Sequence, residues 1–442
     1  MIRNRATLPA TAAHATALDC LEAGIAAAHP QRVVRDSVCR DGDRLEIGTE
    51  TYDLSAYESV RVFGGGNAAA HVAAALEEVL RDAVDGGVVV TDDPVPTSRV
   101  DVRPASHPVP SEAGVESTRT LLDRAADVGR ETLVLGVVTG GASACMVAPA
   151  AGVSLGDLQA TTEALLASGT AIHDVNAVRK HLSAVKGGQL AGVLEPARVH
   201  GLVLSDVVGD DLDVIGSGPL VPDASTFAAA LDALHAADCA VPAAVRERLQ
   251  AGARGERDET PEPAAPAFDR VTTTLVGTNA TALDAARELA SERGYDTCVL
   301  SSRIRGEARH AALSHVAVAE EMVATGNPVA PPAVVLSGGE TTVRVRGDGR
   351  GGPNQEFALA AARELPPGAV LAAVDTDGVD GDTDAAGALV DDSTVADEDA
   401  ARRALSANDS HSYLAERGAV VETGQTGTNV NDLRVLVVGS PD

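Results

Sequence analysis

Short runs of branched apolar residues alternate with longer amphipathic stretches along most of the 442-residue chain. That alternation predicts a layered α/β architecture with largely parallel sheets. Strands are expected at Ser59–Gly64, Gly87–Thr91, Thr132–Thr139 and Val199–Ser205, with helices over Ala68–Asp82, Leu155–Gly169 and Ala224–Ala237. Residues 251–267 break the pattern with a polar stretch rich in Pro and Gly, which reads as a linker or exposed loop. Beyond it the alternation resumes with strands at Thr272–Gly277, Thr297–Ser301, Ala333–Ser337, Ala369–Val374 and Leu433–Val438, a long helix over 306–325 and a shorter one over Asn354–Arg363. The expected organisation is an α/β/α layered domain over 1–250, the linker over 251–267, and a second α/β/α layered domain over 268–442.

Composition narrows the classes. An apolar content of 45% is ample for two cores of ordinary size. The N-terminus shows no basic patch followed by a short apolar run, and no stretch of apolar residues is long enough to span a bilayer, so a cytoplasmic protein is expected. Five scattered cysteines, Cys20, Cys39, Cys145, Cys239 and Cys298, form no CxxC pair and read as reduced thiols. A formal charge of -29, spread along the chain, argues against nucleic acid or an anionic membrane as partner. Only two of the 35 basic residues are lysine, Lys180 and Lys186, and both lie in the segment Asn176–Gly188. Lysine and arginine are not interchangeable, which marks that segment for chemistry; the alternative is an ordinary salt bridge on a helix, more so for Lys180 than for Lys186.

Several segments place small residues or carboxylates at strand ends, where open parallel sheets bind ligands. Gly64, Gly66 and Ala69 match G-x-G-x-x-A after a strand, making the N-terminal domain Rossmann-like; Asp92 and Asp93 after the next strand keep a dinucleotide reading open. Gly140, Gly141 and Ser143 follow the strand that ends at Thr139. Asp206 and Asp210 end another strand and suit Mg²⁺ held jointly with nucleotide phosphates, since that ion usually takes one or two protein carboxylates. Asp375–Asp384 fails the register of a calcium loop, because Ala385 stands where a glycine should, and is read as an acidic loop at a strand end. Thr423–Asn429 has the hydroxyls and amide suited to polar oxygens. No G-x-x-x-x-G-K-[ST], H-R-D or D-F-G motif occurs, so phosphoryl transfer would need another scaffold.

Taken in order, these motifs resemble the class II glycerate kinase family, whose C-terminal part is the MOFRL region. The resemblance runs from about residue 14 to the end and rests on Ser106–Pro110, Thr139–Ser143, Asn176–Gly188, Ser205–Asp210, Ser217–Pro219, Asp223–Thr226, Ser337–Thr341, Asn354–Glu356, Asp375–Gly381 and Thr426–Asp432. It implies transfer from ATP to D-glycerate in a cleft between two α/β domains, giving 2-phosphoglycerate, with ATP and Mg²⁺ as cofactors and a homo-oligomer possible. In the assignment that follows, Lys186 and Arg179 neutralise phosphate or the substrate carboxylate. Gly64, Gly65, Gly66, Asn67, Gly140, Gly141 and Ser143 seat the nucleotide, and Lys180, Ser183, Ser217, Asn354 and Glu340 meet the substrate. Asp206 and Asp210 ligate the metal, and Asp377 is the candidate base, though spacing does not rank it above its neighbours.

Two departures stand out. The family usually has a lysine where this chain has Asn67, and an arginine where it has Pro353; phosphoryl transfer relies on fixed positive charge, which neither replacement supplies. Arg179 and Lys186, or Arg350, are the expected compensation. Two rival readings are a nicotinamide-dependent hydroxypyruvate reductase and a non-catalytic metabolite-binding relative of the kinase. The dispersed negative charge carries its own prediction: because salt screens self-repulsion, the melting temperature should rise between dilute and molar KCl, and a flat response would overturn the reading of a salt-adapted surface.

Overall fold

The computed structural model describes residues 1–440, which divide into two compact units, Val33–Val276 and Met1–Arg32 together with Gly277 onward. In the first unit a six-stranded sheet has the order Val100–Pro104, Val84–Thr91, Ser59–Gly65, Thr132–Val138, Arg198–Leu204, Val271–Gly277. The four pairings among its first five strands are parallel. Its central strand Thr132–Val138 is buried along its whole length, as expected of a Val/Leu run with both faces covered. Helix Glu112–Ala125 closes on it from a capped start, where Ser111 accepts from the Gly114 amide, and Leu155–Ala167, which packs with Ile172–His181, starts on a capping box of Ser154 and Asp157.

The strand order carries the functional consequence. From Ser59–Gly65 the chain winds outward in one direction through the next two strands, then returns to the centre with Thr132–Val138 and winds the other way. The turns after those two central strands therefore sit at the topological switch point, where doubly wound sheets open a crevice. A three-stranded antiparallel sheet, Val38–Asp41, Arg44–Ile47 and Glu50–Asp53, adds to this unit through Tyr52, whose hydroxyl lies 2.7 Å from the buried His200 ring; it was absent from the sequence reading.

The second unit has a mixed sheet in the order Asp296–Ile304, Ala333–Gly339, Asp432–Val438, Ala369–Asp375, Gly387–Asp391, Val420–Val421. Only its first pairing is parallel; the rest are antiparallel. The fully buried central strand Asp432–Val438 contains Arg434, with no exposed surface. Its guanidinium pairs with Asp432, donates to Thr341 Oγ1 at 2.8 Å and lies 4.6 Å from the centre of the Phe357 ring. Helix Pro353–Ala362 is capped from outside its own segment: Asp380 accepts the amides of Asn354 and Gln355, both at 2.9 Å. Pro353 occupies the first turn, where a missing N–H costs nothing.

The domain boundary differs from the expected one. Residues 251–267 do not bridge the units, because Glu259 accepts from the Phe227 amide and Thr260 and Pro261 bond to Asp223, all within the first unit. The strand Val271–Gly277 then completes the first sheet. At the other end, helix Ala12–Ala28 buries its Ala, Leu and Ile face in the second unit, where Gly24 lets it approach Ala282 and Leu433. For the buried pair of this unit, Arg434→Ala should lower unfolding free energy by about 3–5 kcal/mol, since it strands the Asp432 carboxylate, while Arg434→Met with Asp432→Asn should cost far less. Denaturant titration at fixed high KCl reads both.

Candidate functional site

Two glycine turns interlock at the switch point. The Gly66 and Asn67 amides donate to the carbonyls of Val90 and Gly140, at 3.0 and 2.7 Å, and the Thr139 amide donates back to Gly65. A Cβ at Gly66 would overlap Thr139 and Gly140, and one at Gly141 would overlap Asn67 Oδ1, so these glycines permit backbone contact between the turns. The Gly66 and Asn67 amides expected to cradle phosphate are thus already occupied, and this turn offers a ligand chiefly the Asn67 side chain. Asn67 Nδ2 lies 3.5 Å from His107 Nδ1, a residue of the Ser106–Pro110 motif that the sequence reading had not placed in the site.

Helix Ile172–His181 and the turn after it bring the basic segment to the same sheet edge. The two lysines meet opposite fates. Lys180, 1% exposed, pairs with Asp213 and, at 3.2 Å, with the buried Asp223, which also accepts from Ser225 and Thr260. Its charge is matched inside the protein, and substrate contact by this ammonium is not what the geometry provides. Lys186, 7% exposed, has no carboxylate: Nζ donates to the carbonyls of Ser143 and Met146 at 2.8 and 3.3 Å. Burial, together with the nearby Arg179 charge, pulls its ammonium down to about 7. Arg179 is half-buried, burial disfavours its charged form, and it makes no hydrogen bond or ion pair among the described residues.

Hydroxyls adjoin this segment, and one carboxylate lies at the glycine turn. Ser143 and Ser217 are joined at 2.8 Å, and Ser217 donates to Asn176 Oδ1 at 3.0 Å. Ser183 is committed to its own turn, accepting the amides of Val185 and Lys186. Asp206 lies against Gly140 and accepts the Gly141 amide; burial raises its pKa, and the charge of His107 opposes the rise. Asp210 sits at a left-handed φ of 58° with its amide on Val207. Among the described residues no three His, Cys, Asp or Glu side chains converge on one metal position. A Mg²⁺ ion carried in on phosphates needs only one or two protein carboxylates, and Asp206 at the glycine turn suits that role.

The remaining expected site residues belong to the second unit. Asp377 is half-buried in the turn after Ala369–Asp375 and accepts the Val379 amide at 2.8 Å. Asn354 is fully buried and donates to Asp380 and Asp432, whereas Glu340 is exposed with its amide on Ile304. Asp375, passed over in the sequence reading, has its pKa raised well above the usual range by burial and by the neighbouring Asp377 and Asp432 charges; Asp380 is pushed up to about 6. Arg434 was likewise missed, although a charge inside an apolar strand was a visible signal.

Residues 16–250 match a family described as a domain of unknown function, DUF4147, and residues 333–432 match the MOFRL family. The chain is 37% identical to a glycerate 2-kinase of Pyrococcus horikoshii, covering 94% of this chain and 95% of that one. It is 38% identical to a D-glycerate 2-kinase of Thermotoga maritima, with 96% and 97% coverage. It belongs to the class II glycerate kinase family. The crystal structure of glycerate kinase from Thermotoga maritima superimposes with a TM-score of 0.84 over 96% of this chain and 99% of that one, at 36% identity. One relative, from Agrobacterium vitis and 40% identical over 86% of this chain and 99% of its own length, carries the provisional name hydroxypyruvate reductase.

Against that glycerate kinase background, the contrast between the lysines yields a stability test. Lys180→Met should cost about 3–5 kcal/mol by leaving Asp223 buried and unpaired. Lys186→Met should be neutral or stabilising at neutral pH, because it removes a buried cation that lacks a counter-charge. The sign follows from linkage: with a native pKa near 7 and an ordinary value of 10.5, the unfolded chain binds the extra proton between those limits. Wild-type stability should therefore rise with pH across that window, and the Lys186→Met protein should lack this increment.

Proposed function

We propose that this protein transfers the γ-phosphoryl group of ATP to the 2-hydroxyl of D-glycerate, giving ADP and 2-phosphoglycerate. The observation that carries the reading is a pair of cations, buried Lys186 and half-buried Arg179, left without a carboxylate partner at the switch point of the first sheet, while Lys180 six residues before Lys186 is fully matched. Phosphoryl transfer is catalysed largely by positioning and by positive charge around the moving group, and two cations without a carboxylate partner are such a source. Family membership and two relatives named for this activity support the substrate.

In this reading the glycerate oxygen forms a bond to the γ-phosphorus as the bond to the ADP oxygen breaks. Asp206, with Asp210 as the second candidate, would hold a Mg²⁺ ion, which would supply neutralising charge to the phosphates. The nucleotide's phosphates meet the Gly140–Ser143 turn, and Asn67 contributes a neutral donor. The hydroxyl proton passes to an aspartate, for which Asp377 is the candidate. No helix among the described residues is long and apolar enough to cross a membrane, in keeping with the proposed cytoplasmic setting. Molar salt is the proposed working condition for so acidic a surface.

The reductase name of one relative motivates a second reading. It fits less well, because a dinucleotide turn binds pyrophosphate through free amides, and here those of Gly66 and Asn67 are engaged with Val90 and Gly140. ³¹P NMR of the product from ATP and D-glycerate in high KCl should show a 2-phosphoglycerate resonance; oxidation of NAD(P)H by hydroxypyruvate without ADP release would decide for the rival. Lys186→Ala should lower kcat/KM by about 10²–10³-fold, the loss typical of one preorganised charged donor, and near-wild-type turnover would refute its role.

A further inference from the structure

Asn176 lies one helical turn before Arg179 on Ile172–His181 and is 2% exposed. Ser217 donates its hydroxyl proton to Asn176 Oδ1, so the 2.8 Å contact between Ser217 and Ser143 must be donated by Ser143. The same Ser143 holds Lys186 Nζ through its main-chain carbonyl. The carbonyl end of the Asn176 amide thus faces Ser217. The other end, Nδ2, is buried and has no acceptor. Buried amide donors are almost always satisfied, so an orphan of this kind calls for an explanation.

Its surroundings supply one. Arg179 has no partner among the described residues, Lys186 touches only carbonyls, and Asn176 Nδ2 adds a third donor, so the place is rich in donors and poor in acceptors. We propose that Asn176 is a recognition residue whose Nδ2 binds the carboxylate of the small hydroxy acid, completing an anion seat with Arg179 and Lys186. The assignment to carboxylate rather than phosphate follows from Asp206: metal-borne phosphates belong at the glycine turn beside that carboxylate, while a bare anion belongs where no acidic side chain competes. The identity of the acid rests on the kinase reading; the existence of the anion seat does not.

Asn176→Asp tests this directly, since it keeps the acceptor for Ser217 and the side-chain shape but replaces the orphan donor with an oxygen. The KM for D-glycerate should rise at least about tenfold while the KM for ATP stays within about twofold, the asymmetry expected when a buried polar contact to one substrate is lost. The melting temperature of the variant should hold or rise, because its new carboxylate would supply the acidic partner that Lys186 and Arg179 lack. A readout independent of turnover is the thermal shift: D-glycerate, but not its uncharged amide glyceramide, should stabilise the wild type, and neither should stabilise the variant. Should Asn176→Asp fail to fold, Asn176→Ser is read in the same way. An unchanged glycerate KM and shift, or a loss confined to ATP, overturns the proposal. A wild type that is stabilised by D-glycerate but transfers no phosphoryl group would sink the kinase reading and leave the anion seat standing.

Discussion

The arrangement of the first unit depends on how one short segment distributes positive charge in a low-dielectric interior. Desolvating an ammonium is costly unless an opposite charge or a full set of hydrogen bonds replaces its water. At Lys180 the replacement is complete, with Asp213 and the buried Asp223 on either side. At Lys186 only carbonyl oxygens respond, and the adjacent Arg179 makes matters worse by like charge. Such a mismatch is destabilising for the empty protein and becomes favourable only when an anion arrives. The fold concentrates that deficit at the edge of the sheet where strand order opens a crevice, where the proposed anion would turn a stability cost into binding energy.

Much of this was legible in the chain. Continuous Val/Leu runs located the central strands to within a residue or two, because a strand buried on both faces admits little else. The confinement of both lysines to one segment pointed to the cations before any geometry was known. What stayed hidden depended on contacts distant in sequence. Nothing in residues 12–28 states that their apolar face belongs with a strand more than 400 positions later, or that residues 251–267 fold back onto Asp223. Periodicity reports that a face will be buried, not against what. For the same reason the G-x-G-x-x-A spacing was read as a phosphate cradle, whereas its amides close on Val90 and Gly140.

The two departures from the family pattern have different physical characters. Pro353 is locally well suited: it begins a helix whose first free amides are taken by Asp380, so a basic side chain lost there leaves no structural gap. Asn67 is fitted to its turn as well, pressed on Gly141 and close to His107, but an amide there supplies direction without charge. Both replacements remove fixed positive charge that the family resemblance would supply. In the proposed mechanism the cation pair of the lysine segment would carry correspondingly more of the charge than the family pattern alone suggests.

That demand bears on why a protein with 35 basic residues uses lysine only twice. Neither lysine serves the surface; both are buried. A compact ammonium fits between carboxylates where a planar guanidinium would need a wider fork of acceptors, which accounts for Lys180. At position 186 the proposed mechanism offers titration as the reason. Burial brings the ammonium to about 7, so near neutrality the empty site can shed part of its charge and regain it when an anion enters. Arginine cannot shed a proton in this range and would hold its full charge in the empty interior. In the proposed seat, lysine at this position would be tolerable when the seat is empty and cationic when it is filled, a combination that Arg179, half-buried on helix Ile172–His181, has no need to provide.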